Sequence, residues 1–555
     1  MARKARKKKK SEFSEEPEGL ERVERIECRT DEPSIDIILD TLKKGKQALV
    51  FVNTKPRAEK AAEEISKAVA LKGDEKPYFE GISKSALSAL ERPTKQCERL
   101  ALCLKKGVAF HHAGLAQKQR ELIENSFREG KLKVICCTPT LAYGLDLPAF
   151  RVIVKDLKRF GSRGMDWIPV LEIQQMFGRA GRPSYDKEGE AICIAKDIID
   201  GKEIRSRFIS GKPEEIYSKL AVEPVLRTYL LSLISAGFVD SRESIFSFFR
   251  KTFWAHQFQS MESLYAIIEN MLSALAEWRF VSLPESIEHT EQNDFVSADE
   301  IGKNSSGIIR ATPVGKRVAE LYLDPLTAHH LIECLNESGK KAHSGFSYLQ
   351  MISDTLEMYP LLNVKTKEYE DVEDFLLENR EFLLEKEPDA YDLEYEDFLK
   401  SIKTAMLFSD WTDEKDEDFL LDKYNVRPGE LSVKRRIADW LLYSSEELCE
   451  LLGMRKTRPE LEKLRICIDY GAKEELLPLL RLKGIGRIRA RILYNNRIRD
   501  LGDVKKAELS TLSQLIGKTL ALDIKSQLGE ELSEEKVKVR ENKRKGQINL
   551  EDFSG

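Results

Sequence analysis

Four short apolar runs, each ending in polar residues, restrict what the stretch from about Arg22 to Lys196 can fold into. They are Gln47–Thr54 (QALVFVNT), Val108–Leu115 (VAFHHAGL), Leu132–Thr138 (LKVICCT) and Arg151–Lys155 (RVIVK). A continuous apolar run of this length suits a strand buried on both faces. Helical stretches such as Gln117–Glu129 alternate with the runs. That alternation predicts a parallel sheet with helices on both faces. Ligands of such sheets sit at the carboxyl ends of the strands. Thr54, His111, His112, Thr138 to Asp146 and an arginine-bearing stretch are expected there.

That last stretch is Gln174–Pro183 (QQMFGRAGRP). Arg179 and Arg182 stand three apart, each just after a glycine. On a helix, such residues share a face. Two guanidiniums on one face match the charge of a nucleotide triphosphate during phosphoryl transfer. The bland alternative is a basic, glycine-broken helix end. Composition does not decide between them. The formal net charge of −4 does not announce nucleic acid, although Met1–Lys10 is a basic arm expected to be disordered. That arm lacks the apolar stretch of a signal peptide, and no run of about eighteen apolar residues spans a membrane. The nine cysteines show no CxxC. This predicts a reduced, intracellular protein with no metal site of its own.

Four segments, in order, carry a specific resemblance. They are Ala48–Thr54, Phe110–Leu115 (FHHAGL), Thr138–Ala149 (TPTLAYGLDLPA) and Gln175–Arg182 (QMFGRAGR). They resemble motifs IV, IVa, V and VI of the second RecA-like domain of superfamily 2 helicases, in the form used by the Ski-like group. From about Arg22 to about Gly529 the chain resembles the archaeal Hel-family fork-repair DNA helicases. The resemblance implies that Arg179 and Arg182 face the γ-phosphate of ATP, with Gln175 helping to position the nucleotide. It places Thr54, Thr138 and Thr140 near the DNA backbone. Gly144 and Asp146 would couple the nucleotide and DNA sites, although the Ski-like form usually has Asn where this chain has Asp146. His111 and His112 are expected to contact DNA or to pack locally. Lys158–Trp167, with Gly161 and Gly164 bracketing a turn, reads as a β-hairpin. The family carries a strand-separating hairpin here, so Phe160, Met165 or Trp167 would stack on the last base pair; a surface hairpin with a packed tryptophan is the alternative.

Beyond Pro213 the chain reads as mainly helical. Arg279–Leu283 and Ile308–Thr312 look like the strands of a winged helix that braces its neighbours. Leu321 to about Gly471 resembles the family's ratchet domain. In it Arg436 and Trp440, at i and i+4, would meet single-stranded DNA beside Lys434 and Arg435; a core tryptophan is the alternative. Gly484-Ile-Gly486 followed by Arg487, Arg489 and Arg491 resembles a helix-hairpin-helix, which grips phosphates without reading sequence. Gln547, Leu550 and Phe553 fit, weakly, a sliding-clamp peptide. The expected organisation is a basic arm (1–21), an α/β RecA-like domain (22–200), then mainly α domains: a winged helix (201–320), a helical ratchet bundle (321–470), a helix-hairpin-helix (471–530) and a disordered tail (531–555).

A translocating helicase also needs the phosphate loop GxxxxGK[ST] and the acidic Mg²⁺ motif. Neither is present; Ile516–Thr519 (IGKT) has Leu512 where the first glycine belongs. The expectation is the C-terminal part of an ATP-dependent 3′→5′ helicase for single-stranded and forked DNA, a natural split subunit or a truncated reading frame. A separate polypeptide would supply the first RecA-like domain and the Mg²⁺ ligands. An RNA helicase of the Ski-like group and a non-catalytic nucleic-acid-binding module are the other readings.

Overall fold

The structure is a computed structural model. It describes residues 24–71, 74–90, 92–143, 146–161, 164–182, 186, 188–257, 260–283 and 308–529. These residues form two compact units that divide between Glu215 and Ile216.

The first unit is built on the expected parallel sheet. Strands β1 (Ala48–Phe51), β2 (Val108–His111), β3 (Val134–Cys137) and β4 (Arg151–Val154) are buried along their whole length. With β7 (Glu190–Cys193) they form five parallel strands in the order β2-β3-β1-β4-β7. Burial on both faces is why these segments read as unbroken apolar runs. Each fully buried Leu, Val or Phe contributes roughly 1.5–3 kcal/mol. The same core takes in Ile204 and Phe208, so this unit runs past the expected boundary at 200. Between β4 and the helix Val170–Phe177, β5 (Lys158–Gly161) and β6 (Gly164–Trp167) pair as the expected antiparallel hairpin, with Phe160 opposite Met165.

The second unit is mostly helical. Helices Glu223–Ser235, Arg242–Arg250 and Met261–Glu277 precede β8 (Val281–Ser282) and β9 (Arg310–Ala311), an antiparallel pair. The residues between β8 and β9 lie largely outside the described ones. One core runs from Leu226 to Ile468 and is shared by the segments expected as a winged helix and a ratchet bundle, and a smaller core, from Val372 to Leu431, lies within the second of them. Residues Ala472 to Ile524 have a core of their own. No helix among the described residues is long and apolar enough to cross a membrane.

Trp411 organises one corner of this unit. Its indole N–H donates to the Ile468 carbonyl at 2.7 Å. The guanidiniums of Arg435 and Arg487 lie over its ring at 4.9 and 4.1 Å. Gly471 caps the helix Thr457–Tyr470 in the left-handed conformation, and a Cβ there would sit 2.3 Å from the indole. Gly453 caps the helix Pro428–Leu452 with nearly the same φ but faces open space. Gly453→Ala is therefore expected to cost about 1 kcal/mol, the strain of a left-handed alanine. Gly471→Ala adds a steric clash and is expected to cost clearly more in urea denaturation. Equal costs would show that the Trp411 contact does not constrain Gly471.

Candidate nucleotide and nucleic-acid site

The glycines of motif VI do not continue a helix. The helix Val170–Phe177 ends at Gly178, and Gly181 takes φ +89°. Arg179 and Arg182 therefore lie on a turn, which corrects the expected shared helical face. The turn is stitched by main chain to the end of motif V. Ala149 N–H donates to Arg179 O at 2.9 Å, and Gly181 N–H donates to Ala149 O at 2.7 Å. A Cβ on Gly189 would fall 2.3 Å from Gly181 N, so only glycine lets these two backbones meet.

The two arginines reach different places. Arg179 Nη2 donates to the Ala142 carbonyl at 2.7 Å, and its Nη1 is 3.8 Å from exposed Asp146. Arg182 engages Asp186 through Nε at 2.7 Å and Gln47 through Nη1. Gln47 immediately precedes β1, so Arg182 stands at the amino end of the sheet. The expectation that the arginine stretch lies at the carboxyl ends is corrected for Arg182. Gln175 is exposed on the last turn of its helix. Gly144 lies outside the described residues, as do Gln547, Leu550 and Phe553.

The carboxyl ends hold the other motifs. Thr54 is exposed and caps the helix Lys55–Ala68 by accepting from Arg57 N–H. Thr138 and Thr140 hydroxyls are 2.9 Å apart, with Thr140 exposed. His111 and His112 are buried. His111 Nε2 lies 3.0 Å from Glu124, and His112 Nε2 lies 3.2 Å from Glu59, which also accepts from Gln96 at 2.9 Å. The His111 contact holds the Glu124 carboxyl below its usual range. Of the two roles expected for this histidine pair, local packing is the one the geometry shows. A direct DNA contact is corrected because the rings face protein carboxylates.

The hairpin is anchored at its base. Asp156 accepts from Asn53 N–H at 3.1 Å and pairs with Arg57 at 2.6 Å. Phe160 and Met165 are 81% and 66% exposed, so nothing in the first unit uses their apolar surface. Trp167 instead packs edge-on against Phe208 at 5.7 Å, with Lys158 over its ring at 3.9 Å. Of the three expected wedge residues, Phe160 and Met165 are therefore the ones presented to solvent.

In the second unit the expected basic surface of the ratchet helix narrows. Lys434 donates to the Met358 and Pro360 carbonyls, and burial pushes its ammonium down to about 8. Arg435 donates to Ile468 O and Asp469. Only Arg436 of the three is exposed. Trp440 is half-buried on the unit's core, with its indole N–H donating to Leu321 O at 3.1 Å.

The C-terminal turn forms as expected. Gly484 has φ +85°, and the helix Arg487–Asn495 begins after Gly486. The three arginines are not equivalent, which corrects the expected common grip. Arg487 pairs with Glu417 at 3.0 Å, and Arg491 pairs with Glu414 and Glu475 at 2.5 and 2.7 Å. Residues 487 and 491 are i and i+4 and share the inward face. Arg489 lies on the other side and is exposed, with Nη1 donating to the Gly484 carbonyl at 2.9 Å.

Sequence reasoning passed over Gln47, Asp156, Asp186 and Glu214. Asp186 carried a signal, because it follows Arg182 at i+4. Glu214 carried none. It caps the helix Val170–Phe177 by accepting from Val170 and Leu171 N–H at 2.6 and 3.1 Å.

The comparisons with known proteins agree with this arrangement. Residues 83–184 match the family described as the helicase conserved C-terminal domain, and residues 346–471 match archaeal helicase, domain 4. The chain is 37% identical over 528 residues to the ATP-dependent DNA helicase Hel308 of Methanocella arvoryzae, covering 94% of this chain and 68% of that protein. It is 37% identical over 519 residues to the Pyrococcus horikoshii protein of the same name, covering 92% and 67%. The Methanococcus vannielii protein is 35% identical, covering 87% and 66%. The chain thus spans about two thirds of the length of these relatives.

Glu214 yields a pH prediction. Burial works against its charge, but the Val170 and Leu171 N–H groups hold its carboxyl below the usual range. A lowered folded value means that the carboxylate stabilises above the unfolded value, near 4.3, and that this is lost as pH falls through the folded value. Glu214→Ala is expected to cost about 0.5–1 kcal/mol at pH 7. The gap between variant and parent melting temperatures should close below pH 4. A gap independent of pH would reject the cap.

Proposed function

The chain belongs to the archaeal Hel308 helicase family, and from that premise we propose that it supplies the second RecA-like half and the DNA-holding half of an ATP-dependent DNA helicase. The observation that carries this reading is the main-chain stitch of motif V to motif VI. The Arg179–Arg182 turn is thereby tied to Ala149, the end of the motif V sequence that begins with Thr138 at the carboxyl end of β3. Thr54, Thr140 and the hairpin lie toward one end, where a DNA backbone would run. Arg182 lies toward the other, where a nucleotide would meet it. A shift of the arginine turn on nucleotide binding or release would pull the DNA-side segment with it.

The substrate is ATP, held with Mg²⁺ by groups outside these 555 residues, which contain no GxxxxGK[ST] sequence. Arg179 and Arg182 stabilise charge on the transferred phosphoryl only when another polypeptide or segment cradles the β- and γ-phosphates. Single-stranded and forked DNA are the polymer substrates, with 3′→5′ travel. Phe160 and Met165 present apolar surface to the last base pair, and Arg436, Lys483 and Arg489 offer charge to phosphates.

Two experiments test this. The purified chain is expected to show no DNA-stimulated ATP hydrolysis until it is paired with a polypeptide carrying the first RecA-like domain of a relative. In the active pair, Arg182→Ala should lower the rate on the order of 10³-fold, the scale of an arginine finger. Hydrolysis by the chain alone, or a pair indifferent to Arg182, overturns the reading. In the same pair, Phe160→Ala with Met165→Ala should slow fork unwinding while leaving DNA-stimulated hydrolysis and melting temperature unchanged, because both side chains are exposed. Full unwinding by that variant would remove the wedge.

A further inference from the structure

Arg182 is not a loose surface arginine. Its guanidinium is seated in a socket made by two side chains from outside motif VI. Asp186, whose carboxylate is 1% exposed, accepts from Nε at 2.7 Å and from Nη2 at 3.3 Å. This two-pronged contact fixes the plane of the guanidinium as well as its position. Gln47 accepts from Nη1 on the opposite side.

The socket is itself held rigid. Gln47 is 2% exposed, and its amide nitrogen donates to the carbonyls of Phe127 and Leu132 at 2.8 and 2.7 Å. Both amide hydrogens are thereby used, so the amide oxygen must face Arg182. Asp186 is pulled from the other side by Lys46 at 2.5 Å. Arg182, first, and Lys46 hold the Asp186 carboxyl below its ordinary range, so it stays charged at neutral pH. Lys46 and Gln47 come from the entry to β1, while Asp186 lies one helical turn's spacing beyond Arg182. The sheet and the motif VI turn therefore meet at this guanidinium.

We propose that Asp186 and Gln47 are positioning residues that hold the Arg182 guanidinium in the orientation required by the phosphate chain of a nucleoside triphosphate. The inference rests on the motor reading above. An arginine stabilises a developing charge only when its donors are already aimed, and a displacement of about 1 Å costs on the order of 10²-fold in rate. Asp186 and Gln47 touch no substrate and act only through Arg182.

The test is a double-mutant cycle in the reconstituted pair, with kcat and KM for ATP measured separately. Asp186→Ala and Gln47→Ala are each expected to lower kcat about 10- to 100-fold, with KM changed by no more than a few fold. Asp186→Asn, which keeps an acceptor oxygen, should lose less than Asp186→Ala. In an Arg182→Ala background neither substitution should lower kcat further. If Asp186→Ala costs the same factor with and without Arg182, its role is structural and the proposal fails. Wild-type kcat in both single variants, in a pair that Arg182→Ala still cripples, also overturns it while leaving the motor reading intact. A wild-type pair without activity overturns both.

Discussion

Two main-chain hydrogen bonds to Ala149 hold the chemistry of the first unit in place. Without them the Arg179–Arg182 turn would be a surface loop after a helix of only two turns. With them it is an extension of the sheet, registered against the segment that leads into β4. Main-chain pairing is indifferent to side-chain identity but demanding of space. This explains a glycine at 189, where a Cβ would strike the backbone of residue 181, and a glycine at 181, whose φ of +89° other residues rarely adopt. The arginines gain their placement from the backbone, and the Ala142 carbonyl, accepting from Arg179, and the Asp186 carboxylate, accepting from Arg182, refine it.

The second unit solves its packing differently. Trp411 draws together the ends of three segments: Arg435 from the long helix, Arg487 from the C-terminal hairpin and Gly471 from the cap between them. A cation over an indole face contributes roughly 0.5–2 kcal/mol, more when water is excluded. Arginine suits this role because its planar head stacks while its donors still reach carboxylates. Arg487 does both, over Trp411 and against Glu417. Much of the positive charge in this region therefore serves the fold.

Strands were the most legible part of the sequence, because a buried parallel strand has only one way to be written. Ala48–Phe51, Val134–Cys137 and Arg151–Val154 announced themselves, and so did the hairpin with its glycine pair. The order of helices was legible as well. What could not be seen was which charged side chains spend their charge inside the protein. Arg487 and Arg491 look the same as Arg489 until helical spacing is combined with the acidic segment around Glu414 and Glu417, far away in sequence. His111 and His112 look like loop ligands until Glu124 and Glu59 are folded onto them. Arg182 is expected at the carboxyl ends because ligands of such sheets sit there, whereas its partner Gln47 stands before β1. Long-range pairing of this kind leaves no periodic trace along a chain.

The strands of this sheet are four residues long, and at about 3.3 Å per residue each is roughly 13 Å from end to end. That length is also the distance over which a movement on one side of the first unit must be felt on the other. Four of the five strands are buried along their whole length and form a close-packed wall that resists compression. A displacement imposed on the Arg179–Arg182 turn would therefore be passed on through the Ala149 backbone with little loss, because the wall beside it does not yield.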